Sequence, residues 1–504
     1  MKSRYRLGLA LFFILNLAGC VGLRSAPPGS GSLQSINHII IFAQENRSFD
    51  SYFGALRGYW AANGIPDQSF DGLPQFNPAS GIAPLQGPVP AIAGCDPTQP
   101  YPQSDVCVPD ATNLISSYHF ASECQEEQSP FWNESHVDWD YNDPQGNSPA
   151  ALNGFVISAA NDARQQSPAL MDANGIRAMG YFDGSDLNYY YFMASNFATS
   201  DRWFSPLLDR TQISRMYLLA ATSAGHVYPL TAPETPLTAT TIFEELQNAG
   251  ITWKIYVNPE ATSCPTDPTP ACLYNYSYIN QFTYGETILN SPTLSQNLVP
   301  ISQFTTDVQN GTLPQVALIE PASSAGLDEH PSDYDTSSPT DTQAGAQYAS
   351  SMINALMTSS SWQDSAMIFT YDEAGGFYDH VSPQPVPSPD GIAPIDLMPG
   401  DVCDSTGTTG GATCDFTWTG YRLPMIVISP FSKKNYVSHT VYDSTAILTL
   451  IEKRFGVAAL TKRDAAQADM SADFFDFVNV PWSMPPTPPA QVTTGQCTLT
   501  PPTP

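Results

Sequence analysis

Basic residues are scarce in this sequence of 504: 19 Lys and Arg stand against 48 Asp and Glu, for a formal charge of −29. Nucleic-acid backbones are bound by Lys and Arg neutralising phosphates, so this balance excludes that class of partner. No CxxC pair occurs, which removes zinc-ribbon and thioredoxin-like readings. No internal repeat and no sustained heptad is visible. Histidine is also sparse, with 7 in the chain, so the place of each is informative. What is present is ample apolar material, 42% with 11% aromatic, enough for a large packed core and against overall disorder.

The N-terminus carries Lys2, Arg4 and Arg6 ahead of an apolar run, Leu7 to Leu17, that is too short to span a bilayer. It ends in Leu17-Ala18-Gly19-Cys20, which resembles the bacterial lipobox; a plain cleaved signal with a fortuitous Cys is the alternative. The expectation is a signal peptide over 1–19 and a lipidated tether over 20–35, rich in Gly, Ser and Pro. The chain would then be an exported lipoprotein of the bacterial cell envelope, held to the membrane by lipid on Cys20. Cysteine usage agrees with export: without Cys20, eight of the nine remain. Three pairs are close in sequence, Cys95 with Cys107, Cys264 with Cys272 and Cys403 with Cys414, and a Cys124 to Cys497 bridge follows by elimination. The acidic excess has two readings, solubility and tolerance of an acidic milieu, and composition does not separate them.

Short runs rich in β-branched residues alternate with longer helix-like stretches, the pattern of an α/β protein with a mostly parallel sheet covered by helices. The strands are read at His38 to Ala43, Ile251 to Val257, Gln315 to Glu320, Ala366 to Tyr371 and Pro424 to Ile428. Helices are read at Leu187 to Asn196, Thr241 to Ala249, Ala344 to Met357 and Ser444 to Phe455. The polar stretches near 61–115 and 383–420 read as disulfide-stapled insertions, giving one domain over 36–480 and a Pro/Thr-rich tail over 481–504.

In open α/β sheets the ligand site lies beyond the carboxyl ends of the strands. That rule brings Glu45 and Asn46, after the first strand, to one edge with Asp372 and Glu373, after the fourth. Four oxygen-bearing side chains there make a hard pocket suited to a divalent metal ion of unspecified identity, against the plainer reading that they cap helices.

QENRSFDSYFG at 44–54 and YDEAGGFYDHV at 371–381 resemble motifs of the phosphoesterase family of bacterial and plant phospholipases C and acid phosphatases. So do the segments from Tyr421 to Ser432 and from Tyr442 to Gly456. The resemblance implies an alkaline-phosphatase-like three-layer α/β sandwich. It also implies a metal-bound Thr or Ser that attacks phosphorus, within a Thr-x-Pro-Asn-Arg pattern. Thr211-Gln212-Ile213-Ser214-Arg215 is similar to that pattern, with Ile213 and Ser214 in place of Pro and Asn, and makes Thr211 the nucleophile. His330, in Asp-Glu-His-Pro, and His380, in the Tyr-Asp-His run, resemble family site histidines; His136, before Trp139, is similar to a His-x-Trp element with one residue inserted.

The implied enzyme hydrolyses phosphate esters through a phosphothreonine, with Glu45, Asn46, Thr211, Asp372 and Glu373 on the metal and the histidines stabilising charge or protonating the leaving group. The chain resembles the compact members, without a β-rich C-terminal extension. Phospholipase C chemistry on a phospholipid is favoured, with acid phosphatase action on monoesters as the alternative. An inactive surface lipoprotein that keeps the fold and binds a ligand is the reading from another class. The 24 Tyr and 8 Trp are read as core and not as a choline cage.

Overall fold

The computed structural model describes residues 31–77, 84, 86–90, 109–166, 170–231, 235–259, 264–265, 268–332, 339–404, 413–500 and 502. The expected signal, Cys20 with most of its tether, and the Cys95 and Cys107 pair lie outside the described residues. Among the described residues, no helix is long and apolar enough to cross a membrane.

The central sheet has eight strands: β1 (His38–Gln44), β2 (Ala198–Ser200), β3 (Trp253–Val257), β4 (Leu298–Pro300), β5 (Val316–Ile319), β6 (Ser365–Tyr371), β7 (Met425–Ile428) and β8 (Tyr436–Ser438). Their spatial order is β8-β2-β7-β6-β1-β5-β3-β4. All five strands read from the sequence are there. The pairings are parallel except those of β7, which runs against both β6 and β2. A short apolar run encodes burial and not direction, which is why β7 looks like its neighbours in sequence.

β1 and β6 form the middle of the sheet. Ile39, Ile40, Ile41 and Phe42 of β1 are all fully buried, as every residue of β6 is buried, so side chains on both faces are covered. A layer of helices on each face produces that pattern. Truncating Ile40 to Ala would remove contacts that cannot be refilled, at a cost of about 2–5 kcal/mol. The expected helices form at Asn188–Asn196, Ile242–Asn248, Thr342–Met357 and Ala446–Phe455. The first turn of Thr342–Met357 is closed by Asp341, whose side chain accepts from the N–H groups of Gln343 and Ala344.

Disulfides join Cys264 to Cys272, Cys403 to Cys414 and Cys124 to Cys497. The last ties the C-terminal tail to the body, aided by bonds from Gly495 N to Gln343 Oε1 (2.9 Å) and from Thr498 N to Ser122 Oγ (3.0 Å).

Candidate active site

The β1/β6 register pairs Gln44 with Tyr371, so both strands end at the same level and release Glu45 and Asp372 side by side. Two turns follow. Asn46 takes a left-handed φ of 56°, and Gly375 and Gly376 are left-handed at 67° and 71°. Gly375 is there for space as well as for φ, because a Cβ would lie 2.3 Å from the Asn46 carbonyl oxygen. Asp372 Oδ1 knits the turns together, accepting from Asn46 N (3.0 Å) and Glu373 N (2.8 Å).

The third contribution is a helix, Thr211–Ala220, named α1. Thr211 is its first helical residue and its N-cap is Arg210, so the Thr211 side chain is not a cap. Instead its Oγ1 lies 3.1 Å from Glu45 Oε2 and 3.0 Å from Asn46 Oδ1. The structure therefore brings Thr211, Glu45, Asn46, Asp372 and Glu373 into one buried cluster, each of them under a tenth exposed.

Sequence reasoning missed the cluster's cation. Arg215 lies one turn after Thr211 on α1, and the i, i+4 spacing puts it on the same face. Its guanidinium is 2.8 Å from Glu45 Oε1, 3.3 Å from Asp372 Oδ2 and 3.9 Å from Glu320 Oε2. Glu320 follows β5 and Tyr278 opens a short 3-10 helix, Tyr278–Gln281, so neither is near Glu45 in sequence. Tyr278 donates its hydroxyl to Glu45 Oε1 (3.3 Å) and its N–H to Glu320 Oε1 (3.0 Å).

One cation does not balance these carboxylates. Burial, opposed by Arg215 and reinforced by Asp372 and Asp328, pushes the Glu45 carboxyl up to about 8. Burial and then the charge of Asp372 push Glu373 well above the usual range. Asp372 Oδ2 and Glu373 Oε1 are buried acceptors without a hydrogen-bond partner. Carboxyl oxygens that accept no hydrogen bond, beside an amide oxygen and a hydroxyl, are the donor set a hard divalent cation takes, so these residues fit such a metal.

The three histidines fall in different places. His330 sits on the loop whose Asp328 carbonyl accepts from Glu45 N (3.1 Å), and its charge acts on Glu45. Its Nδ1 is 2.6 Å from Pro331 O, and its Nε2 is 4.0 Å from Glu127 Oε1. Glu329 beneath it is fully buried, with a carboxyl that accepts from Tyr52 (2.8 Å), Tyr371 (2.7 Å) and Tyr190.

His380 is held in a separate ionic cluster, with Nδ1 2.7 Å from Asp50 Oδ2 and Nε2 3.2 Å from Asp71 Oδ1. Burial and the charge of Arg422 disfavour its protonation, but the charge of Asp50 and the hydrogen bonds of Asp50 and Asp71 prevail and raise it to about 9. His136 is fully buried against Trp132, its Nδ1 2.6 Å from Trp132 O and its Nε2 3.2 Å from Thr413 O. Burial drives it down to about 4, and both ring nitrogens are engaged by backbone in the core; no contact joins it to Thr211 among the described residues.

Comparison with known proteins matches this arrangement to a family. The sequence model of the Phosphoesterase family matches residues 36–458. Phospholipase C B of Mycobacterium tuberculosis is 29% identical over 469 residues, 89% of this chain and 79% of that protein. Non-hemolytic phospholipase C of Pseudomonas aeruginosa is 27% identical over 454 residues, 85% of this chain and 55% of that one. Non-specific phospholipase C5 of Arabidopsis thaliana is 31% identical over 355 residues, 65% of this chain and 57% of that one. A solved phosphonate monoester hydrolase from Silicibacter pomeroyi superposes with a TM-score of 0.27 at 12% identity, over 54% of this chain and 69% of that one, too loosely to carry an argument. With most of its length matched and an oxygen-rich pocket at the sheet edge, the chain belongs to the Phosphoesterase family and is a hydrolase of phosphoric esters.

Proposed function

We propose that the protein is a metal-dependent phosphoesterase of phospholipase C type that works through a phosphothreonine at Thr211. The observation that carries the reading is the Thr211 hydroxyl, lodged between Glu45 and Asn46 at 3.1 and 3.0 Å, in a cluster where Asp372 Oδ2 and Glu373 Oε1 accept no hydrogen bond. Glu45, Asn46, Thr211, Asp372 and Glu373 are the residues that would hold the metal. Bound there, a divalent cation supplies Lewis-acid stabilisation of charge on the phosphoryl group and favours the deprotonated hydroxyl.

The chain's own residues do the rest. No side chain caps α1, so its first N–H groups and positive end favour the anionic phosphoryl oxygens. Thr211 Oγ1 forms a bond to phosphorus as the bond from phosphorus to the leaving alcohol oxygen breaks. The alcohol departs with a proton, for which we propose His330 as the donor, and water then cleaves the phosphothreonine to restore the hydroxyl. Arg215 holds Glu45 and Asp372 in place and offsets part of their charge.

Phospholipid is the favoured substrate class because the relatives reported above are phospholipases C. We further propose export and anchoring through Cys20, which rest on the basic-apolar-Cys order of the N-terminus and agree with the three disulfides of the described residues.

The test is turnover of p-nitrophenyl phosphate and p-nitrophenylphosphorylcholine by wild type and Thr211→Ala, with and without chelator. The variant is expected to lose about a thousandfold or more in kcat, and chelation to silence wild type. Unchanged turnover in folded Thr211→Ala would sink the nucleophile. Faster turnover of the monoester than of the diester would shift the reading to an acid phosphatase, and metal binding without turnover of any ester to a binding protein.

A further inference from the structure

A cavity of about 240 Å³ opens near the N-terminus of α1, near the small end of the ~300–1,000 Å³ of ligand sites. Gln212, the residue after Thr211, and Tyr278 form one side of it, and Asn258, Asn275, Asn280 and Ser324 are among the others. The near wall is tied to the catalytic carboxylates. Ser277 Oγ donates to Glu320 Oε1 (2.7 Å), and Tyr278 reaches Glu45 Oε1 through its hydroxyl (3.3 Å). The wall reaches Thr211 through one carboxylate, since Tyr278 donates to Glu45 Oε1 and Glu45 Oε2 lies 3.1 Å from Thr211 Oγ1.

The chemistry of the lining is narrow. Among the described residues that line the cavity, none is Asp, Glu, Lys, Arg or His; the polar groups are side-chain amides and hydroxyls. The amides of Gln212, Asn258 and Asn275 have no protein hydrogen-bond partner among the described residues. Each amide offers a carbonyl acceptor and two N–H donors, a combination that matches hydroxyl groups, which both donate and accept.

A quaternary ammonium needs open aromatic faces or a nearby anion. Tyr276 and Tyr278 are the lining aromatics, and one face of the Tyr278 ring is taken by the Arg215 guanidinium, 4.6 Å from the ring centroid, which repels a second cation there.

We infer that this cavity is a headgroup pocket for a neutral polyhydroxyl alcohol, of sugar or inositol type, esterified to the phosphate that Thr211 attacks. The inference rests on the phosphoesterase reading and adds to it the class of alcohol that stays beside the nucleophile. One ring-sized polyol suits the volume; an extended chain does not.

The experiment is calorimetric titration of full-length Thr211→Ala protein with glycerophosphoinositol and with glycerophosphocholine. At least tenfold tighter binding of the inositol ester is expected, and Asn258→Leu in the same background should erase that preference. Adding an anion through Asn258→Asp should shift it toward the choline ester. Equal or tighter binding of the choline ester, no binding of either, or an unchanged preference in Asn258→Leu would overturn the pocket's assignment. Turnover of p-nitrophenyl phosphate by wild type reports separately on the phosphoesterase reading. If that turnover is absent while the binding preference holds, the catalytic reading fails and the pocket stands.

Discussion

Two buried ionic clusters in this molecule are made of similar parts and satisfied very differently. In one, Arg422 and His380 meet Asp50 and Asp379. Asp379 Oδ1 accepts from Arg422 Nη2 (2.6 Å) and Oδ2 from Arg422 N (2.9 Å), while Asp50 Oδ1 accepts from Arg422 Nη2 (3.2 Å) and Oδ2 from His380 (2.7 Å). Every carboxylate oxygen there has a partner. In the other, Arg215 faces Glu45, Asp372 and Glu320, with Glu373 alongside, and Asp372 Oδ2, Glu373 Oε1 and Glu320 Oε2 have no hydrogen bond. A buried carboxyl oxygen that accepts no hydrogen bond is costly, and a bound cation would satisfy the oxygens that this cluster leaves open. The saturated cluster joins the loop after β6 to α-helical and C-terminal segments; the unsaturated one is where the proposed chemistry is placed.

Substitution should separate the two. Asp372→Asn removes a charge from a site that has too many, so activity is expected to fall about a thousandfold while metal-free stability holds or rises. Kinetics and thermal unfolding in chelator measure both, and a large loss of stability would mean that Asp372 is structural. Asp379→Asn does the reverse, leaving Arg422 buried with half its partner, at an expected cost of about 3–5 kcal/mol in urea unfolding. Unchanged stability there would break the contrast.

Gly375→Ala probes how tightly the two turns at the site are fitted. Its Cβ would strike the Asn46 carbonyl and its φ of 67° disfavours any side chain, so metal affinity is expected to drop about tenfold or more as Asn46 is displaced. Titration with a divalent metal in wild type and variant checks it.

The smallest effect is in pH. His380 has a folded value of about 9 against an ordinary 6.5, so its contribution to stability is complete below about pH 6.5 and is lost as pH rises through 9. Glu134 and Glu123, pushed by burial to about 7 and about 8, act with the same sign. The melting temperature is expected to fall by several degrees between pH 6 and pH 9.5, and less steeply in His380→Gln. A flat or rising profile in wild type would contradict the ionic description.

The strand ends were legible because β-branched runs stop abruptly at polar residues, and that alone put Glu45, Asn46, Asp372 and Glu373 at one edge. The family pattern added Thr211. Arg215 stood in the quoted motif, but its role depends on a helix face turned toward three strands, which spacing cannot show. Glu320 and Tyr278 reach the site from segments far from both motifs. His380 illustrates the opposite limit: its motif is visible in the sequence, while the partner that shares its carboxylates, Arg422, is 42 residues away. For His136, the i, i+4 relation to Trp132 was visible, but not that the tryptophan's carbonyl would take its Nδ1.

The central claim is that Thr211 carries the phosphoryl group. Wild-type protein mixed with p-nitrophenyl phosphate, quenched in acid within the first turnovers and digested should yield the peptide containing Thr211 heavier by one phosphoryl group, absent after chelation and in Thr211→Ala. A label on another residue, or steady hydrolysis with Thr211 never modified and its alanine variant active, would contradict the account.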